Sequence, residues 1–208
     1  MNVLTVDPHA CAPRDLAAAV AHLAAGGVVA FPTDTFYGLG ADPRQPAAVR
    51  RVFAIKQRAA GEALPLVAVS IENVEQFCGP LGPAGTRLAR AFWPGPLSLM
   101  LNAPASVDPA VHAGTGTVAI RVPDHPVARA LVAAFGSPLT ATSANVSGQP
   151  PVRHAASLTA LGDEVLVIDG GETPGGAPST IVDARVTPPA LVRAGQVPWD
   201  RVLRSLTP

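Results

Sequence analysis

Short apolar runs, each soon broken by glycine, proline or aspartate, limit this chain's fold more than any other feature. Val3–Val6, Val28–Phe31, Leu66–Val69, Leu97–Leu101, Val118–Val122, Pro138–Thr140, Val165–Ile168, Thr180–Val182 and Leu191–Arg193 are too short for core helices and read as strands. Between them lie alanine-rich stretches with apolar residues three and four apart: Arg14–Ala25, Ala47–Ile55, Ala84–Phe92, Val127–Phe135 and Ala155–Leu161. These read as helices. Gly26-Gly27 ends the first, Pro46 suits a first helical turn, and Pro94-Gly95-Pro96 stops a helix at Trp93. The alternation predicts an α/β fold, an open, twisted, mixed β-sheet flanked by helices. One domain spanning residues 1–208 accounts for the chain, which has no internal repeat.

At 208 residues, folding removes roughly 70% of the unfolded chain's accessible surface, enough for a core without cross-links. That core is aliphatic, because 48% of residues are apolar and only 4% aromatic. Fifteen basic and fifteen acidic residues cancel, so no global field draws the protein to nucleic acid or membrane. An RNA contact would need a local patch. Cys11 and Cys78 lack the spacing of a zinc or CxxC site, which fits a reduced, cytoplasmic compartment. No apolar run approaches the ~20 residues that span a bilayer, and the start carries no export signal.

Five constellations could carry chemistry. Pro32–Gly40 (PTDTFYGLG) follows an apolar strand and sets two threonines and an aspartate at its carboxyl end, where layered α/β sheets bind ligands. A turn whose Asp and Thr side chains satisfy their own backbone is the other reading. Gly38 and Gly40 allow close backbone approach. Lys56-Gln57-Arg58 ends an amphipathic helix, and Lys56 is the only lysine. A compact ammonium suits a point contact to phosphate, while a cation answering the helix dipole would look the same. If the helix unwinds after Lys56, Lys56 and Arg58 can converge on one polyanion. In Thr117–Val122, strand alternation turns Thr117, Ala119 and Arg121 to one face. Arg121 then needs an anion: a carboxylate ligand gripped by its planar fork, or a structural partner such as Asp34 or Asp124. Thr140–Gly148 opens from a short strand into a loop of hydroxyl and amide side chains able to cradle phosphate or ribose, or simply to face solvent. Ser179 and Arg193 stand at ends of later strands. Gly170–Pro178 reads as a mobile loop near a site, with a plain surface connection as the other reading. The five histidines have no metal-ligand spacing, and His22 reads as surface or packing. Walker A, GxGxxG, GxSxG and HExxH patterns are absent, which disfavours a P-loop ATPase, a Rossmann dehydrogenase and a serine hydrolase.

In order along the chain, PTDTFYGLG, KQR, PLVAVS, WPGPLSLML, GTVAIRVPDHP, TSANVSG, PSTIVD and RAG resemble the YrdC/YciO family over nearly the whole sequence. The likeness implies a YrdC-like fold and the activity of threonylcarbamoyl-AMP synthases, nucleotidyltransferases that join L-threonine, bicarbonate or CO₂, and ATP for tRNA threonylcarbamoyladenosine formation. It implies that Lys56, Arg58, Thr117, Ser143, Asn145 and Arg193 line ATP. Thr35, Arg121, the Ala141 backbone and Ser179 would hold threonine. Mg²⁺ would bridge the phosphates, and the adenylate would pass to a tRNA threonylcarbamoyl transferase; direct tRNA contact stays open. The chain resembles the short form of the family, without a further C-terminal domain.

The sequence departs from the family pattern between Lys56 and Pro65. Ala59 replaces a proline, two residues are added before Pro65-Leu66, and Leu64 stands where asparagine is usual. Val69 replaces a histidine of some members, and Pro151 stands where the serine of an SGxPS segment is expected. The alternative reading is a YciO-like RNA-binding paralogue without threonine-dependent turnover. Carbamoyl transfer to another protein is disfavoured, because no zinc-finger or acylphosphatase-like segment accompanies the domain.

Overall fold

The fold is described from a computed structural model, for residues 2–57 and 61–207. Its elements run β1 (Asn2–Thr5), a 3-10 turn (Pro13–Leu16), α1 (Ala17–Ala24), β2 (Val28–Phe31), β3 (Gly38–Gly40), α2 (Pro46–Lys56), β4 (Leu66–Val67), α3 (Ile71–Cys78) and α4 (Gly82–Phe92). They continue with β5 (Leu97–Asn102), β6 (Thr117–Arg121), α5 (Pro126–Phe135), β7 (Leu139–Thr140), β8 (Thr142–Ser143), a 3-10 segment (Ala155–Leu161), β9 (Val165–Asp169), β10 (Thr180–Asp183), β11 (Ala190–Arg193) and α6 (Trp199–Leu206).

Among the described residues the strands form two mixed sheets. The first has the order β1-β9-β2-β3-β8, with β1, β9 and β2 parallel and the last two strands antiparallel to their neighbours. The second has the order β11-β10-β5-β6-β4-β7, parallel at β10–β5 and β4–β6 and antiparallel elsewhere. The mixed, helix-flanked architecture is as expected; the division into two sheets is not, and neither are the two short strands that extend the first sheet beyond β2. β3 is Gly-Leu-Gly and β8 is Thr-Ser.

β2 shows why an unbroken apolar run marks the centre of such a sheet. Successive side chains point to opposite faces, so Val28 and Ala30 enter one core and Val29 and Phe31 the other. The first core also takes Val49 and Val52 of α2 and Leu88 of α4. The second packs Leu23 of α1 and Leu131 of α5 on the opposite face. Each fully buried side chain of this size contributes about 1.5–3 kcal/mol from apolar burial alone.

Helix ends obey local chemistry. Gly136 caps α5 at φ +79°, and α2 stops at Lys56 because Gln57 is left-handed at φ +49°. Two helices escape the sequence reading. α3 begins at Ser70, whose side chain accepts the Asn73 amide, a cap the four-residue spacing could have revealed. α6 buries Val202, sets Trp199 and Leu206 partly buried against the first core, and packs on α4, where Arg201 lies 5.5 Å over the Phe92 ring. Ala155–Leu161, expected as an α-helix, is 3-10.

Candidate active site

Both sheets contribute to one cavity of about 460 Å³. The β2–β3 loop supplies Thr33 and Thr35; β8 supplies Ser143; β6 supplies Thr117 and Arg121; the β10–β11 pair supplies Ile181, Val192 and Arg193, with Ser179 just before it. Leu64, Pro65 and Met100 form apolar wall. The volume suits a small-molecule site, and the lining has the usual character: apolar surface with a few convergent polar groups.

Arg121 is the charged centre. Its side chain is 9% exposed, and Nη1 donates to Asp34 Oδ1 at 2.5 Å. Nη2 turns to Thr33 Oγ1 and Thr35 Oγ1, each at 3.4 Å. Thr33 Oγ1 in turn donates to the Phe36 carbonyl at 2.7 Å, which fixes the hydroxyl pair. Of the two carboxylates that could have met Arg121, only Asp34 does; Asp124 pairs with Arg129. Asp34 does not line the cavity, and its Oδ2 is buried with no hydrogen-bond donor among the described residues. A guanidinium with a carboxylate behind it and hydroxyls beside it can grip a ligand anion with its remaining N–H groups.

Arg193 stands on the same cavity. It donates from Nε and Nη2 to the Ser179 carbonyl at 3.2 and 2.7 Å, and from Nη2 to Ser179 Oγ at 3.2 Å. Burial of its guanidinium, then the positive charge of Arg121, push its pKa below the usual arginine range. Two cations therefore share one cavity, with Asp34 balancing one of them. Ser179 Oγ is held from behind by Ser98 Oγ at 3.0 Å, a buried residue the sequence did not single out. Thr117 Oγ1 pairs with Thr115 Oγ1 at 3.0 Å, and both line the cavity.

Thr35, Thr117, Arg121, Ala141, Ser143, Ser179 and Arg193 are thus brought together. Ala141 arrives with its amide already donating to the Pro65 carbonyl at 2.8 Å. Lys56 and Asn145 lie behind the wall, where the Lys56 ammonium meets the carbonyls of Ser143 and Asn145. Arg58 and Ala59 fall outside the described residues, whereas Leu64 returns the chain to the core, its amide donating to Val111 O at 2.8 Å. Met100, Ile181 and Val192 also line the cavity without having been expected, while Thr33 does so with Thr35 as the Pro32–Gly40 segment implied. Alternation along β10 from Ser179 could have found Ile181.

Other expectations change. Gly40 serves close packing rather than a ligand: a Cβ there would stand 2.7 Å from the Phe31 ring. Gly38 does line the cavity. The 170–178 loop is pinned, not loose. Gly175 N donates to Thr35 O at 2.7 Å, Thr173 N to Arg153 O at 3.0 Å, and the buried Tyr37 hydroxyl to Gly171 O at 2.7 Å. Burial and then the nearby Asp169 charge raise Tyr37 to about 12, so this hydroxyl is a structural donor. His22 packs beside Gly27 with Nε2 buried and without a hydrogen-bond partner among the described residues. Both cysteines are free, and no described helix is long and apolar enough to cross a membrane. Among the described residues no group of three His, Cys, Asp or Glu could hold a metal ion.

His125, at the start of α5, also has a buried ring nitrogen, Nδ1, with no hydrogen-bond partner among the described residues. Burial lowers its pKa below the ordinary 6.5; Arg129 adds to this, and Asp34 and Asp124 oppose it. The unfolded chain therefore takes up this proton first as pH falls. The His125 contribution to stability is intact above 6.5 and is lost as pH drops below that value toward the folded-state pKa. Urea midpoints between pH 7.5 and 5.5 should accordingly fall more steeply in the native protein than in His125→Gln. Equal slopes would show that this histidine is not the titrating group.

The chain is similar to known proteins over most of its length. A family profile for Sua5, YciO and YrdC, described as "Telomere recombination", matches residues 21–195. A threonylcarbamoyl-AMP synthase of Thiobacillus denitrificans is 41% identical over 164 residues, covering 78% of this chain and 87% of that protein. One from Pyrococcus abyssi is 38% identical over 179 residues, 85% of this chain but 53% of its own length, so the chain spans about half of that relative. The crystal structure of P. abyssi Sua5 complexed with L-threonine superimposes with a TM-score of 0.91 at 34% identity, covering 99% of this chain and 61% of that one. Escherichia coli YciO gives a TM-score of 0.86 at 25% identity, over 97% of this chain and all of YciO. The chain belongs to the Sua5/YciO/YrdC family.

Proposed function

We propose that this protein is an L-threonylcarbamoyladenylate synthase, a nucleotidyltransferase that forms threonylcarbamoyl-AMP and pyrophosphate from L-threonine, bicarbonate or CO₂, and ATP. The observation that carries the reading is Arg121, a buried guanidinium with free N–H edges in a hydroxyl-lined cavity beside Arg193. RNA backbone binding, the YciO-like alternative, calls for exposed cations along a surface and not for a fork enclosed among threonines. The relatives named as threonylcarbamoyl-AMP synthases, and the threonine-bound P. abyssi structure, support the same choice.

In this reading Arg121, Thr35 and Ser179 hold the threonine carboxylate and hydroxyl beside the Ala141 backbone. Thr117, Ser143, Arg193, Asn145, Lys56 and Arg58 serve the nucleotide. The threonine amine captures CO₂ as a carbamate, and a carbamate oxygen attacks the α-phosphorus as pyrophosphate leaves. Rate then comes from alignment of two bound reactants and from cationic stabilisation of phosphate charge. The lining offers hydroxyls and guanidinium groups, and the nearby Asp34 carboxylate is engaged by Arg121. Mg²⁺ would therefore arrive with the ATP rather than on protein carboxylates, and would supply neutralisation of the phosphate charge. The product would pass to a tRNA threonylcarbamoyl transferase in the cytoplasm.

The test is pyrophosphate release from ATP, Mg²⁺ and bicarbonate with L-threonine, with L-serine, and with no amino acid. Threonine-dependent release is expected, with serine poorer in kcat/KM by roughly 10–200-fold, the worth of one methyl group in an apolar pocket. Absence of threonine-dependent release from folded protein would overturn the reading. Salt-sensitive tRNA binding in its place would select the YciO-like alternative.

A further inference from the structure

The chain's only lysine is turned away from open solvent. Lys56 ends α2 and is 3% exposed, yet it does not line the cavity. Its Nζ donates to the carbonyl of Ser143 at 2.5 Å and to that of Asn145 at 2.8 Å, with Ser143 Oγ and Asn145 Oδ1 both 3.5 Å away. The Ser147 amide closes a second tie, donating to the Lys56 carbonyl at 2.8 Å. On the other flank, Ala144 N donates to Tyr37 O at 2.8 Å.

Two carbonyl dipoles aimed at one point repel each other, and a cation between them reverses the sign of that interaction. An ammonium suits the place because it is compact and carries three N–H donors; a planar guanidinium spreads its donors over a wider fork. Buried without such acceptors, the charge would be expensive. The 143–147 turn and Lys56 thus stabilise each other, and Ser143, the residue at the start of the turn, faces the cavity.

We propose that Lys56 is a positioning residue: it fixes the 143–147 turn from behind the cavity wall and thereby sets where Ser143 Oγ stands toward a bound nucleotide. Its consequence for binding rests on the nucleotide reading given above; its effect on the turn does not.

Amide hydrogen exchange in the ligand-free protein tests the turn. In Lys56→Met, Ala144, Asn145 and Ser147 should exchange about tenfold faster or more, as expected for local opening, while amides of β9 stay protected and report that the fold persists. Unchanged exchange at the turn would overturn the proposal. Calorimetric ATP affinity across a salt series then separates positioning from direct phosphate contact. Loss of a direct contact weakens binding and flattens its salt dependence. Loss of positioning weakens it by between about ten- and a hundredfold with the salt dependence unchanged. Lys56→Arg should not restore either property. A flattened slope, or full rescue by arginine, would overturn the inference. If Lys56→Met does not fold, Lys56→Arg carries the exchange reading, and native-like ATP affinity in that charge-preserving variant would overturn the inference. If the native protein binds no ATP, the functional reading fails, and the exchange data still decide what Lys56 does.

Discussion

Replacing Arg121 by alanine is expected to lower folding stability by about 3–5 kcal/mol, because it strands the Asp34 carboxylate in a buried place with its partner gone. Both side chains are 9% exposed, and Asp34 Oδ2 already lacks a donor, so the carboxylate has no second partner among the described residues to fall back on. Urea unfolding measures this loss. Asp34→Asn in the Arg121→Ala background should recover a substantial part of it, since the stranded charge is then gone. Threonine affinity should behave differently. It is expected to fall by roughly 2–5 kcal/mol in Arg121→Ala, the cost of removing one partner of a desolvated charge pair, and to stay low in the double variant. Calorimetry on the two variants therefore separates the structural role of Arg121 from its ligand role. Native-like threonine binding by either variant would remove Arg121 from the site.

Gly195→Ala is expected to be the other severe substitution. A Cβ at this position would lie 2.3 Å from Pro178 O and 2.5 Å from both Ser179 C and Thr180 N. All three neighbours are backbone, so no side chain can swing aside. Overpacking of this kind typically costs about 1–3 kcal/mol and sometimes more. The position also sets function. Gly195 lets the chain after β11 lie against the start of β10, which brings Arg193 onto the Ser179 carbonyl and hydroxyl. The variant should lose stability and most threonine-dependent pyrophosphate release together. A native-like melting temperature with full activity would show that the β10–β11 junction has slack that the geometry denies it.

The glycine of RAG shows how much could be read in advance. Its place beside an arginine at a strand end was legible, while its reason, a backbone approach across seventeen positions of chain to Pro178, was not. The same holds for Arg121. Alternation in Thr117–Arg121 put it on a face with Thr117 and Ala119, and both line the cavity with it. The choice of Asp34 over Asp124 belonged to the way the β2–β3 loop meets β6. Lys56 stood out by residue type, yet whether its ammonium turned to a phosphate or to carbonyls depended on a turn 87 positions away in sequence.

The sequence by itself determined the long apolar strands, the alanine-rich helices, their punctuation by glycine and proline, and the ordered polar segments that mark the family. Those are local properties, set by side-chain periodicity and backbone freedom. Only the tertiary structure decided the pairing of β3 and β8 into the first sheet, the docking of α6, the anchoring of the 170–178 loop on Thr35, and the partner of each buried charge. Two- and three-residue strands carry no periodicity, and the stripe of Trp199, Val202, Leu203 and Leu206 that marks α6 as a helix does not say where that helix docks. A buried cation is indifferent to which anion or carbonyl neutralises it until packing brings one within reach.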